Sequence, residues 1–252
     1  MADLLGWTGL FLAGVIVLVL AIRHREISLI LGIAFGVRTL AALFHYYIAF
    51  LPGGRADAVS FERHAWMWGQ SGLAEAFSNF PGITSYSYAW LMSLLYAITD
   101  RSLLMLQSTS VLVGVLCVYF TWKLTQHLWE ERHARKAAWG MALFPMVIQY
   151  SAITMREAWV VLFFILGLIG VVRWARDGGL KPIAGGITAF TAATFFHGGM
   201  FVAVLAFLGL ISARAGHRLL SGLSRGRVGA FAVVGLIIAI GSIGGYIGSG
   251  VS

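Results

Sequence analysis

Charge is scarce in this chain and cysteine almost absent. Asp, Glu, Lys and Arg make up 11% of its 252 residues, against 59% hydrophobic ones and a mean hydropathy of +0.85. Those proportions exclude an ordinary soluble globular domain. The lone cysteine, Cys117, excludes an intrachain disulfide, and its place inside an apolar run says nothing about compartment. No Cys or His pairs stand at metal-finger spacing, and no internal repeat is present. The short alternating segments of a membrane β-barrel are missing too. No basic stretch precedes the first apolar run. Met1-Ala-Asp3 leads into it, and Arg23 and Arg25 follow it, so it reads as a first span with an extracytoplasmic N-terminus, not as a cleaved signal peptide.

What is there instead is a succession of apolar runs close to the roughly 20 residues that cross a bilayer as a helix. They predict spans at about Leu4–Ile22, Ile27–Leu51, Leu103–Trp122, Ala137–Ile153, Ala158–Val172, Pro182–Phe196, Gly199–Ala213 and Val228–Ile247. The expected fold is all-α: a polytopic transmembrane helical bundle of about eight spans, forming a single domain over 1–252. Of only four prolines, Pro145 falls inside a run, where it predicts a kink.

The net charge of +8 and pI of 10.1 would suggest nucleic acid in a soluble protein. Here thirteen of the eighteen Lys and Arg gather in four loops: Arg23 and Arg25; Lys123, Arg132, Arg135 and Lys136; Arg173, Arg176 and Lys181; Arg214, Arg218, Arg225 and Arg227. The predicted spans place all four loops on one side, which the positive-inside rule makes cytoplasmic. The basic balance therefore sets orientation and implies no nucleic-acid partner. Counting the apolar, aromatic Tyr86–Ile98 segment as a span would move the last three basic loops outside. It is accordingly predicted as a re-entrant or interfacial helix, with Tyr86, Tyr88, Trp90 and Tyr96 at the headgroup boundary.

The longest polar interruption, within the first extracytoplasmic loop at 52–99, opens on the turn Pro52-Gly-Gly-Arg55 and then offers a surface helix over about Ala56–Phe77. Helical spacing puts Asp57, Phe61 and His64 on one face. Trp66, Trp68, Leu73 and Phe77 give that helix apolar surface to lay on a bilayer. The same outer side collects Glu62, Glu75, Asp100 and Glu157, with Arg55, Arg63, Arg101 and Arg156, and His197 at the outer end of a span. Two of these acids, Asp57 and Glu157, come from distant parts of the chain. Two such carboxylates suit catalysis: one takes a proton from an acceptor hydroxyl while the other helps hold a divalent cation. Arginines beside them suit a lipid-carried phosphate.

The order of these features resembles a known family. An Arg-bearing span is followed by Asp57-x-x-x-Phe61-x-x-x-Ala65, an aromatic–apolar segment, and a span ending in basic residues. A further span then ends in Pro145-x₄-Tyr150-Ser151 and Arg156-Glu157. Over roughly 27–213 this looks like the N-terminal module of the GT-C membrane glycosyltransferases, which include protein mannosyltransferases, aminoarabinose transferases and oligosaccharyltransferases. It is similar also to membrane proteins of exopolysaccharide synthesis. The resemblance implies a catalytic Asp57, and an acidic Glu157 able to share with it a cation such as Mg or Mn. It also implies a polyprenyl-phosphate-linked sugar donor and action in cell-surface polysaccharide or glycoconjugate assembly, at a bacterial inner (plasma) membrane. The chain departs from the pattern at Ala58, where many relatives have Glu, and at Phe61, where many have Tyr.

Each candidate has a plainer reading. Asp57 is also a favoured helix N-cap, and Glu157 also suits the positive end of a helix dipole. Arg38, the one cation deep within a span, either lines a substrate cavity with His45 on its face or is an internally hydrogen-bonded structural residue. His64, Arg101 and Arg156 are candidates for substrate binding; His197, ahead of Gly198-Gly199, is either a phosphate contact or structural. At the level of the whole chain, the alternative to an enzyme is a non-catalytic membrane protein: a transporter of lipid-linked substrate, an assembly scaffold, or an inactive or truncated GT-C homologue.

Overall fold

The computed structural model describes the backbone of residues 2–223 and side chains through His217. The predicted span Val228–Ile247, and the loop residues Arg225 and Arg227, lie outside what it describes; Arg218, expected in a loop, falls within the backbone of a helix. Everything regular in it is helical: among the described residues there is no strand. In chain order the helices are α1 (Ala2–Arg23), α2 (Ser28–Tyr47), α3 (Asp57–Gly69), α4 (Leu73–Ser78), α5 (Ser87–Ile98), α6 (Leu103–Gln126), α7 (Glu131–Leu143), α8 (Pro145–Ala152), α9 (Glu157–Asp177), α10 (Leu180–Phe196) and α11 (Phe201–Leu223). One compact unit runs to Val204; from Leu205 a second begins, whose described part is the remainder of α11.

Among the described residues, five helical stretches are long and apolar enough to cross a membrane: Ala2–Arg23, Arg25–Tyr47, Leu103–Gln126, Glu157–Asp177 and Gly198–His217. Two other expected spans come out differently. Ala137–Ile153 is not one helix but two, α7 and α8, broken at Phe144, whose extended backbone (φ −66°, ψ 115°) is what a following proline imposes. The segment Pro182–Phe196 lies within α10, whose 17 residues rise about 26 Å, a little less than a hydrocarbon core. The 12 residues of α5 rise only about 18 Å.

The first unit is organised around α6. In its most apolar stretch 61% of residues are buried, against 28% in α1 and in α9. Small side chains let its neighbours close on it, as suits helices that gain little from apolar burial in lipid. A Cβ on Gly9 of α1 would sit 2.3 Å from the Ser108 hydroxyl. On Gly114 of α6 it would meet Ser151 of α8 at 2.4 Å and Arg38 Nε at 2.8 Å. Amphipathic α7 follows the same logic. Ala134, Ala138 and Ala142, one helical turn apart, form a buried stripe against Val115, Val118 and Trp122 of α6, while Arg132, His133, Arg135 and Lys136 stay exposed. Glu131 closes the α6–α7 turn by accepting from Trp122 Nε1 at 2.8 Å and Gln126 Nε2 at 2.6 Å.

Broken helices leave carbonyls without partners, and two polar residues of the bundle supply them. Pro145 has no N–H to give to the Met141 carbonyl. Arg38, fully buried on α2, donates from Nη2 to Met141 O at 3.1 Å, and from Nη1 to Ala142 O at 2.9 Å and Ala34 O at 3.1 Å. At the other end of α8, Gln107 Nε2 donates to Ala152 O at 3.0 Å. These bonds let a helix stop and restart inside an apolar environment.

Candidate functional site

The segment that carries Asp57 is fixed from two sides. His45, at the end of α2, accepts the Leu51 N–H at its Nδ1 (3.0 Å), which places the ring proton on Nε2. Its ring lies so close to Gly54 that a Cβ there would be 2.3 Å from it. From α8, Gln149 Nε2 donates to Pro52 O at 2.8 Å. The first turn of α3 is then tied to the link between α8 and α9, where the buried Thr154 hydroxyl donates to Ala58 O at 2.9 Å. Asp57 emerges as the first residue of α3; Ala56 holds the cap position, and no side chain caps the helix. Asp57 is exposed.

The link from α8 delivers Arg156 to the same place. Its guanidinium lies over the Phe61 ring, 5.6 Å from the centroid, and its Nε is 3.8 Å from Glu157 Oε1. Its Nη1 is buried without an acceptor. Asp57 and Arg156, with Ser60, Phe61, Ser85 and Tyr86, line one polar cavity of about 190 Å³. A carboxylate, three hydroxyls and a guanidinium with an unused donor can together take a proton from one group and hold an anionic one.

Glu157 looks elsewhere. It opens α9, as expected for a carboxylate at the positive end of a helix dipole. It lines a separate, largely apolar cavity of about 260 Å³ with Met146, Val147, Tyr150, Ala158 and Val161. Asp57 and Glu157 thus line different cavities, with Arg156 between them: it lines the first and pairs with Glu157 at 3.8 Å. Among the described residues no three of His, Cys, Asp and Glu come together as a metal-binding set, and Ala58 adds no ligand beside Asp57. The cavity itself offers one carboxylate, Asp57, and the hydroxyls of Ser60, Ser85 and Tyr86.

The remaining candidates scatter. His64 contacts Tyr86 (ring centroids 4.5 Å) but lines a neighbouring cavity with Val59, Arg63 and Met67. Only Ser60 borders both that cavity and the one holding Asp57. Arg101 forms a bidentate pair with Glu62 (2.9 and 3.0 Å), and Tyr96 donates to the same carboxylate at 3.1 Å. The pair raises the Arg101 pKa, first through the hydrogen bond. Arg101 is thus engaged in joining α3 to the start of α6. Arg38 is wholly buried and engaged at the helix break, and His197 is exposed at the end of α10; neither borders the Asp57 cavity.

Ser60, Ser85 and Tyr86 are the polar contributors that sequence reasoning did not assign to a site. Spacing could have found Ser60, close to Asp57 on the same helix. Ser85 and Tyr86 reach it only because α5 folds back on α3, with Tyr88 and Phe61 rings 5.6 Å apart. Compared with models of known protein families, with curated protein sequences and with solved structures, the chain shows no match.

Proposed function

We propose that this chain is a multi-pass membrane glycosyltransferase that moves a sugar from a polyprenyl-phosphate-linked donor to an acceptor hydroxyl, with one carboxylate, Asp57, as its base. The observation that supports it is that Asp57 and Arg156 line one cavity, while Arg156 Nη1 has no acceptor within the protein. In this reading Asp57 accepts the acceptor's proton as its oxygen attacks the anomeric carbon. The bond from that carbon to the phosphate oxygen breaks, and Arg156 holds the polyprenyl phosphate as charge grows on it. Glu157, in the adjoining cavity, orients Arg156 across 3.8 Å.

The position of the cavity is part of the reading: about eight spans, an extracytoplasmic N-terminus and a surface segment at 52–99 would set it on the outer face, beside the lipid headgroups. The test is transfer from a panel of polyprenyl-phosphate and polyprenyl-diphosphate sugars in reconstituted vesicles. General-base catalysis is worth roughly 100-fold or more, so Asp57→Asn is expected to lower turnover by at least that factor. Polyprenyl phosphate should still bind, whereas Arg156→Ala should lose binding. Unchanged turnover in Asp57→Asn at normal protein level refutes the assignment. The division of the two carboxylates between cavities favours one second reading, a carrier-lipid-binding protein without transferase activity. It is the reading to adopt if only Arg156→Ala has an effect, on binding.

A further inference from the structure

A further, larger cavity lies along α9 and α10, and Asp57 is not among its lining residues. The hairpin α9–α10 turns at Gly178-Gly179, and its helices touch where a Cβ on Gly170 would come within 2.5 Å of Gly186 Cα. Around that contact runs an open groove of about 680 Å³. Its walls are mostly apolar: Leu166 and Ile169 stand on α9, one turn apart, and Ala184 and Ala192 on α10, with Thr188 between them. At one end, and only there, it carries charge, from Arg173 and Lys181. Nearby Arg176 is engaged, donating to the His127 carbonyl. With Asp177 as the one acid of the turn, that end keeps a net positive charge. Arg173 stands sixteen residues beyond Glu157 on the same helix, so about 24 Å separates this end from the start of α9.

We infer that this groove is a binding site for an anionic phospholipid, with an acyl chain along Leu166, Ile169, Ala184 and Thr188 and the headgroup phosphate between Arg173 and Lys181. The inference rests on the membrane-embedded part of the reading above and not on the transferase part. Charge complementarity selects the occupant. A neutral lipid would satisfy the walls and leave the two cations without a counter-charge, while a soluble phosphate would leave the walls unfilled. Each Lys or Arg at a membrane surface favours an anionic lipid by about five-fold, so two give roughly thirty-fold.

The test is lipid retained by the purified protein, counted by native mass spectrometry after exchange with vesicles of equal phosphatidylglycerol and phosphatidylcholine. The wild type is expected to retain phosphatidylglycerol with a preference of roughly thirty-fold, undiminished by inorganic phosphate. Arg173→Gln with Lys181→Gln should remove the preference and keep lipid bound. Gly185 lines the groove, and a Cβ there meets nothing within 4 Å, so Gly185→Leu should fill the groove and expel lipid of both kinds without disturbing the hairpin. Thr188→Phe does the same from the next turn, should Gly185→Leu fail to fold. Retention unchanged in the filling variants, or equal retention of the two lipids by the wild type, overturns the site. Failure of the membrane reading itself would look different, as retention of no lipid at all.

Discussion

Replacing Arg38 with methionine separates two roles that the sequence left open. Methionine keeps much of the length and removes the donors. The carbonyls of Met141 and Ala142, at the break before Pro145, then lose the hydrogen bonds of 3.1 and 2.9 Å that now satisfy them. A buried carbonyl left unpaired costs about 1–3 kcal/mol. Interhelical hydrogen bonds within a membrane sit at the weak end, near 0.6 kcal/mol on average. At that weak end, about 0.6–1 kcal/mol for each of two carbonyls gives a destabilisation of about 1–2 kcal/mol, with some relief because a charge need no longer be buried. For a chain of this size that is a fall in melting temperature of roughly 2–8 °C. Lysine, with one ammonium in place of a fork, should reach one carbonyl and recover about half of it. The assay is thermal unfolding in detergent by intrinsic fluorescence, beside binding of polyprenyl phosphate at a temperature where each variant is folded. An unchanged melting temperature refutes the capping role. If binding also falls ten-fold or more, Arg38 touches substrate after all.

Two further outcomes follow from packing and burial. Gly170→Leu should force α9 and α10 apart against the Gly186 backbone, costing about 2–3 kcal/mol, while Gly185→Ala on the open side should be neutral within about 0.5 kcal/mol; equal melting temperatures would contradict the close approach. Burial raises the hydroxyl pKa of both Tyr88 and Tyr96 well above the ordinary tyrosine value, and for Tyr96 the Glu62 carboxylate adds to it. Above about pH 10 the unfolded chain releases these protons and the folded chain keeps them, so stability should fall as pH rises through that range. Tyr96→Phe should flatten that fall in denaturant titrations, and an equally steep fall in the Tyr88→Phe, Tyr96→Phe double variant would contradict it.

What the sequence could show was local. Runs of apolar residues located the five long helices, because length and hydropathy along one segment are enough to specify them. Pro145 announced a break, since its missing N–H and its effect on Phe144 are properties of two adjacent residues. The partner that makes the break tolerable could not be seen, because Arg38 lies 104 residues from Ala142. Long-range pairing also decided the site. Asp57 was legible as an acid on a polar helix, and Arg156 as a cation at a helix start. Their meeting depends on Thr154 reaching Ala58 and on α5 returning across α3, neither of which has a periodic signature. Glu62 was visible as a residue but not as the partner that engages Arg101.

Arg38 also constrains the order in which such a chain can be completed. In the membrane-embedded arrangement, α2 leaves the ribosome with a guanidinium near its middle, and two of the three carbonyls that receive it do not yet exist. At synthesis rates of about 5–20 residues per second, Ala142 follows some 5–20 s later. Until then the helix carries a cation whose insertion at a bilayer centre is unfavourable by about 2.5–3.5 kcal/mol on the translocon scale. The seating of α2 is therefore provisional, and becomes final only when α7 and α8 arrive to receive its charge.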